Sequence, residues 1–231
     1  MELVPGVHVI DLGMVYAYLY QEAGRLTLFD TGIATSGQRI LDEIEALGRK
    51  PGDLAHIVVS HYHADHAGSL AELAERTGAQ VLAHRLDAPV VRGEAEEPRA
   101  VPESEEERQM IREVTKAVPP APPCAIDREL EDGDEIDLDG GGEVVHVPGH
   151  TAGSIALYLP KRRVLFSADA AVRGPEGNVM VGVFNVDTAQ ARRSFQRLAA
   201  LDFEIACFGH GAPMDKEASL AFRRLAERLG G

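Results

Sequence analysis

The sequence predicts a mixed α/β protein built as two similar halves. Three observations predict it. Short apolar runs bounded by Gly and Pro alternate with longer amphipathic runs, the pattern of strands alternating with helices. The runs come in the order β-rich, helical, β-rich, helical. Between the two halves, at about 1–91 and 124–231, lies an acidic, Pro-rich segment over 92–123. The chain has 231 residues, 45% of them hydrophobic, enough for a sizeable core in one or two domains.

In the first half, Val7–Ile10, Met14–Tyr20 and Arg25–Asp30 read as three short strands, punctuated by Gly13 and Ala23-Gly24 in the manner of a meander. The third runs into Phe29-Asp30-Thr31-Gly32, where an Asp at a strand end is a turn residue or a carboxylate aimed at a site. Ser36–Leu47 carries Ile40, Leu41, Ile44 and Leu47 on one helical face and stops at Gly48. Pro51-Gly52 is a turn, and Ala55–Ser60 is a buried strand. A helix over Ala67–Thr77, closed by Gly78, and a strand at Gln80–Ala83 complete this half. In the middle segment, Glu94, Glu96, Glu97, Glu103, Glu105, Glu106 and Glu107 surround one predicted helix, Ser104–Val118, with Ser104 as its N-cap. It reads as a solvated connector or as a flap over a site, with Met110, Ile111 and Val114 facing inward.

The second half opens with strands at Arg128–Leu130, Glu135–Leu138 and Glu143–Val147, separated by Asp132-Gly133-Asp134 and Asp139 to Gly142. Ile155–Leu159 and Arg163–Ser167 form a hairpin over Pro160-Lys161-Arg162. Thr188–Leu201 is helical, Glu204–Phe208 is a buried strand, and Ala218–Leu229 is a closing helix.

A net charge of −14 argues against non-specific binding to nucleic acid or to an anionic membrane. Cys124 and Cys207 are far apart and lack CxxC spacing, so they are expected as buried thiols of a reduced, cytoplasmic protein. The start, Met1-Glu2-Leu3-Val4-Pro5-Gly6, has neither the basic nor the apolar region of a signal peptide, and no stretch approaches the length of a membrane span.

Chemistry concentrates at 58–68, Val58-Val59-Ser60-His61-Tyr62-His63-Ala64-Asp65-His66-Ala67-Gly68. An apolar strand delivers three imidazoles and a carboxylate into one loop. His150 in Pro148-Gly149-His150-Thr151, Asp169 after a strand, and His210 in Gly209-His210-Gly211 sit in the same kind of place. Imidazole and carboxylate without thiolate suit zinc, iron or manganese. Seven candidate ligands, His61, His63, Asp65, His66, His150, Asp169 and His210, exceed one tetrahedral ion and suit two ions about 3.5–4 Å apart around a shared water. His61 and His63, two apart on an extended segment, leave the same face, and Asp65 and His66 can turn toward a second ion. His8, His56 and His84 are expected at the surface or in loops, His146 in a supporting role, and Tyr16 and Tyr62 in the core.

The His61-x-His63-x-Asp65-His66 motif, Pro148-Gly149-His150-Thr151-x-Gly153-Ser154, Asp169, Gly209-His210-Gly211 and Phe29-Asp30-Thr31-Gly32 resemble, in order and over nearly the whole chain, the metallo-β-lactamase-fold hydrolases, in particular their glyoxalase II and lactonase-like branch. The resemblance implies a single domain over 1–231 with a four-layer αβ/βα sandwich, two mixed β-sheets face to face with helices outside. It implies that His61, His63 and His150 hold one ion, that Asp65, His66 and His210 hold the other, that Asp169 bridges, and that Asp30 orients a ligand imidazole.

The expected function is a dinuclear metal-dependent hydrolase with two divalent ions, Zn2+ first, Fe or Mn next. A water shared by the ions loses its proton near neutral pH, and Asp65 steers that proton. The expected partner is a small-molecule substrate, an ester, thioester or lactone, with a homodimer left open. Glyoxalase II members carry an extra C-terminal helical region, whereas this chain ends soon after His210. Two alternatives stand beside this. One is an iron oxidoreductase resembling persulfide dioxygenases, with one iron on the positions of His61, His150 and Asp169. The other is β-lactam hydrolysis.

Overall fold

The computed structural model describes residues 1–230. The chain forms two compact units. Unit 1 comprises Met1–Glu97 and Arg112–Leu130, and unit 2 comprises Pro98–Ile111 and the chain from Glu131 onward.

Unit 1 is built on a seven-stranded sheet whose strands lie side by side in chain order. They are β1 (Glu2–Val4), β2 (Val7–Asp11), β3 (Tyr16–Gln21), β4 (Leu26–Phe29), β5 (Leu54–Val59), β6 (Gln80–His84) and β7 (Arg128–Leu130). The first four pair antiparallel, as the predicted meander requires, with Tyr18 opposite Phe29. From β4 on the pairing is parallel, with Leu28 beside Ile57 and Ile57 beside Val81. Parallel strands need crossovers. Helix α1 (Gly37–Ala46) links β4 to β5, and α2 (Ala64–Ala67) and α3 (Leu70–Thr77) link β5 to β6. Ile40, Leu41 and Ile44 of α1 and Leu70 and Leu73 of α3 bury against Leu19, Leu28, Ile57 and Val81. Their spacing of three and four residues puts them on one face of each helix.

One expected helix is two. The stretch Ala67–Thr77 is broken at Gly68-Ser69, and the first piece begins earlier, at Ala64. The cause is tertiary. A Cβ on Gly68 would collide with Ala64 O, Ala34 N and the carbonyl carbon of Ile33. Ser69 Oγ donates to Ile33 O at 2.6 Å and accepts the Ser36 N–H at 3.1 Å. Asp65 and His66 thus lie on a turn of helix rather than in a loop. The histidines expected at the surface are strand residues: His8 and His84 are buried on β2 and β6, and His56 is half-buried on β5. Helix α4 (Ala88–Val91) follows β6, and α5 (Glu105–Ala117) is the helix expected in the acidic segment. Ser104 Oγ accepts the Glu107 N–H at 3.0 Å, the predicted N-cap. Helix α5 has no buried residue.

Unit 2 carries a five-stranded sheet in the order β14-β11-β10-β9-β8. Its strands are β8 (Glu135–Ile136), β9 (Gly142–His146), β10 (Ile155–Leu159), β11 (Val164–Ala168) and β14 (Ile205–Phe208). All pairs are antiparallel except β11 with β14, which run parallel with Phe166 beside Cys207. A small ribbon of β12 (Ala171–Arg173) and β13 (Val179–Val181), not anticipated from the sequence, forms a separate two-stranded sheet. Helices α6 (Thr188–Ala199) and α7 (Ala218–Gly230) bring Phe195 and Phe222 to stack at 5.0 Å between ring centroids, with Phe203 edge-on to Phe222. Cys124 and Cys207 are buried, unbridged thiols, as expected, and burial pushes both up in pKa. Among the described residues no helix is long and apolar enough to cross a membrane.

Candidate metal centre

In both units the chemistry sits where a parallel strand pair ends, the position at which open α/β sheets leave room for ligands. Asp30 follows β4, and Ser60 and His61 follow its parallel neighbour β5. Asp169 follows β11, and His210 lies just past its parallel neighbour β14. The two carboxylates share a backbone feature. Asp30 has φ of 61°, and Ala168, just before Asp169, has φ of 44°. Non-glycine residues rarely adopt this left-handed conformation, which costs free energy and turns the strand sharply into its loop.

In unit 1, the Asp30 carboxylate organises two imidazoles. It accepts the Ser60 N–H on Oδ1 at 2.8 Å. Its Oδ2 accepts the Ser60 hydroxyl at 2.8 Å and lies 2.9 Å from His66 Nδ1. Because Ser60 spends its only proton on Asp30, its oxygen must accept from His61 Nδ1, 2.9 Å away. Thr31 holds the backbone of the same histidine, its N–H and its hydroxyl both donating to His66 O at 2.7 Å. The Asp30-Thr31 pair therefore positions His66 at ring and main chain, and reaches His61 through Ser60. All five side chains are buried.

The rings gather around His61. The His63 ring lies edge-on at 4.7 Å between centroids, and the His66 ring is tilted at 4.2 Å. Asp65 Oδ2 is 3.9 Å from His66 Nε2. Glu97 Oε1 lies 3.5 Å from His63 Nε2. Burial, then the Asp65 carboxylate, raise the pKa of Glu97. Glu97 is absent from the ligands expected from sequence, because nothing distinguishes it from the other glutamates of its run. Tyr62, between the two histidines, is buried as expected.

In unit 2, Asp169 Oδ2 lies 3.6 Å from His150 Nε2 and 3.3 Å from His210 Nε2. His150 Nδ1 lies 3.0 Å from the Val183 carbonyl oxygen, which can only accept, so this nitrogen carries the proton. His146, expected in support, places its Nε2 2.9 Å from Ala152 O, within the loop that leads to β10. Gly182 is required by a close approach, since a Cβ there would run into the Asp169 carbonyl oxygen.

His61, His66 and His150 share one arrangement. Each faces an acceptor at Nδ1, so the neutral ring carries its proton there and presents an Nε2 lone pair. That is the tautomer a metal-ligating imidazole needs, fixed in advance by the groups behind it. Together with the carboxylates and the absence of thiolates from both clusters, the donor set fits a borderline divalent ion.

The metallo-β-lactamase superfamily model matches residues 10–210. A probable metallo-hydrolase of Bacillus subtilis (strain 168) is 30% identical over 99% of this chain and 92% of its own length. Hydroxyacylglutathione hydrolases are also similar. That of Halorhodospira halophila is 36% identical over 68% of this chain and 47% of its own length. That of Rhizobium meliloti is 29% identical over 72% and 52%. The chain thus spans about half the length of these two enzymes. Among solved structures, a Cronobacter sakazakii metallo-β-lactamase with a HARLDQ motif superposes with a TM-score of 0.76 at 24% identity, over 99% of this chain and 91% of that one. A metallo-β-lactamase family protein from Thermus thermophilus gives 0.71 at 24%, over 98% and 80%. These likenesses establish the fold, two large mixed sheets with helices, as expected from the sequence.

Proposed function

This chain belongs to the metallo-β-lactamase superfamily and is a metal-dependent hydrolase; on that premise we propose that it uses two divalent ions, zinc in the first instance, to cleave a small ester, thioester or lactone. The observation that carries the reading is the shared tautomer of His61, His66 and His150, three imidazoles each tied back through Nδ1 with Nε2 presented. In this reading His61, His63 and His150 hold one ion, Asp65, His66 and His210 hold the second, and Asp169 serves both.

Bound there, such ions supply an acidified water and a Lewis acid for the carbonyl oxygen. The chain's own residues do the rest. Asp30 and Ser60 keep His61 and His66 from rotating or exchanging tautomers. Thr31 fixes the main chain of His66. Asp65, on the first turn of α2, accepts the proton of the attacking water on its carboxylate and returns it to the leaving oxygen or sulfur. A leaving thiolate or alkoxide needs that proton less as its own pKa falls, so activated esters and thioesters should react with the least dependence on Asp65. The hydroxyacylglutathione hydrolases act on the substrate their name gives, and their likeness to this chain supports the thioester part of the range.

The deciding experiment is metal analysis of the purified chain followed by a substrate panel of esters, lactones, thioesters and β-lactams on metal-defined protein. Two equivalents of metal per chain with turnover of an ester, thioester or lactone support the reading. One iron per chain with oxygen uptake, or turnover confined to β-lactams, overturns it.

A further inference from the structure

The loop between β13 and α6 is held from two sides within unit 2. On one side it is laced to the His150 loop. Val183 O lies 3.0 Å from His150 Nδ1, Val186 N–H donates to His150 O at 3.2 Å, and Asp187 N–H donates to Gly149 O at 2.9 Å. On the other side it is held by the acidic segment. Val101 N–H donates to Asn185 O at 2.8 Å, and Phe184 N–H donates to Glu107 Oε1 at 2.8 Å. Glu107 is itself fixed. Its other oxygen, Oε2, accepts the Glu103 N–H at 2.7 Å, and its own N–H donates to Ser104 Oγ.

The Val183 carbonyl and the Phe184 N–H are the two ends of one peptide group. The Glu107 carboxylate therefore sits at one end of a single peptide and the His150 ring at the other. A carboxylate accepting from an amide N–H pulls electron density toward the amide oxygen and makes that oxygen a stronger acceptor. The stronger acceptor holds the proton on His150 Nδ1 and makes Nε2 more basic. The peptide is also one the chain does not adopt freely. Phe184 has φ of 59°, a left-handed conformation that is an outlier for a bulky aromatic residue. Such a conformation persists only where the surroundings enforce it, and the Glu107 bond to the Phe184 N–H is one of the contacts that does so.

We propose that Glu107 is a positioning residue for His150, acting through the Val183–Phe184 peptide, so that the acidic segment tunes an imidazole it does not touch. This rests on the reading of His150 as a metal ligand. It assigns to one residue of a glutamate-rich run a role the other six do not share. It also makes the segment at 98–111 part of the machinery that sets ligand strength.

The test compares Glu107→Gln and Glu107→Ala with the unaltered chain. The amide oxygen of E107Q can still accept the Phe184 N–H, so the loop contact is kept, while the charge is lost together with the bond from the Glu103 N–H, which the new NH2 cannot accept. E107A removes both. Three quantities are read: the zinc dissociation constant by chelator competition and, in metal-free protein, the NMR signal of the His150 Nδ1 proton and hydrogen exchange of the Phe184 amide. The expectation for E107Q is an upfield shift of the Nδ1 proton, retained protection at Phe184 and zinc affinity lower by about tenfold. E107A should show the same shift, lost protection and a larger loss of affinity. Glu107→Asp, which keeps the charge on a shorter arm, should recover part of the affinity lost in E107Q. An Nδ1 signal and zinc affinity unchanged in E107Q overturn the proposal, including the case in which only E107A is impaired, since that would mark a purely structural contact. If the unaltered chain binds no zinc, the metal-ligand reading fails instead, and the metal-free NMR comparison still decides whether Glu107 acts on His150.

Discussion

Asp30 Oδ2 lies 2.9 Å from Nδ1 of His66, with the two side chains 2% and 1% exposed. A carboxylate this deeply buried must have its lone pairs used. Here they are, by the Ser60 amide, the Ser60 hydroxyl and the His66 ring. One group thus sets the tautomer of His66 directly and that of His61 at one remove.

Replacement of Asp30 by Asn tests this with little backbone cost, because Asn tolerates the left-handed conformation that Asp30 adopts at φ of 61°. The new amide can still accept the Ser60 N–H through its oxygen. Its NH2 would instead face the Ser60 hydroxyl and the His66 Nδ1 proton, donor against donor. Both imidazoles lose their anchor together, so metal affinity should fall about 10–100-fold, the range for loss of a group that orients a ligand. Chelator competition measures it, and unchanged affinity would remove Asp30 from the site.

Asp65 is the residue to which the mechanism assigns the proton. Asp65→Ala, compared with the unaltered chain at equal metal content, should lower kcat by about 10²–10⁴-fold, the range for general acid–base catalysis. The loss should be smallest for the substrate with the most acidic leaving group. Near-normal turnover at matched metal content would exclude Asp65 from proton transfer.

Much of this was legible in the chain, for a definite reason. The strands β4, β5, β11 and β14 are short apolar runs that stop at a polar motif, so the ends that deliver Asp30, His61, Asp169 and His210 announce themselves. The groups behind these side chains do not. Ser60 is one more residue at a strand end, and its importance comes from a hydroxyl proton committed to Asp30, thirty positions away. Glu97 and Glu107 sit in a run of glutamates, and only folding separates the one beside His63 and the one bound to Phe184. The break at Gly68 is likewise invisible in periodicity, because it comes from residues 33 and 34 pressing on the helix from outside.

Gly182 makes a prediction about shape rather than charge. It follows β13 and packs against the backbone of Asp169, whose carbonyl oxygen occupies the place a Cβ would take. Backbone cannot yield as a flexible side chain does, so Gly182→Ala should displace Asp169. The neighbouring Val183 carbonyl should shift with it, so His150 is disturbed as well. Metal affinity should fall by at least about tenfold while far-ultraviolet circular dichroism keeps its native shape. A variant that binds metal as the unaltered chain does would show that the loop can move away from Asp169 at no cost.

Asp132 carries the acid-side stability prediction. Burial by itself would raise its pKa, but the Arg197 guanidinium, bound at 2.8 and 3.0 Å, and the His146 amide at 2.8 Å hold it below the ordinary carboxylate value. A carboxyl whose folded pKa is depressed stabilises the fold above its unfolded pKa, and that contribution is lost as pH falls through the folded value. Both side chains are 46% exposed, so the contribution belongs with screened surface pairs, about 0.2–1 kcal/mol. Asp132→Asn should therefore melt lower than the unaltered chain at neutral pH, and the two melting temperatures should converge as pH drops from about 5 to about 3. Added salt should narrow the neutral-pH gap by screening the pair. Parallel curves across that range would show that the Asp132–Arg197 pair does not couple folding to pH.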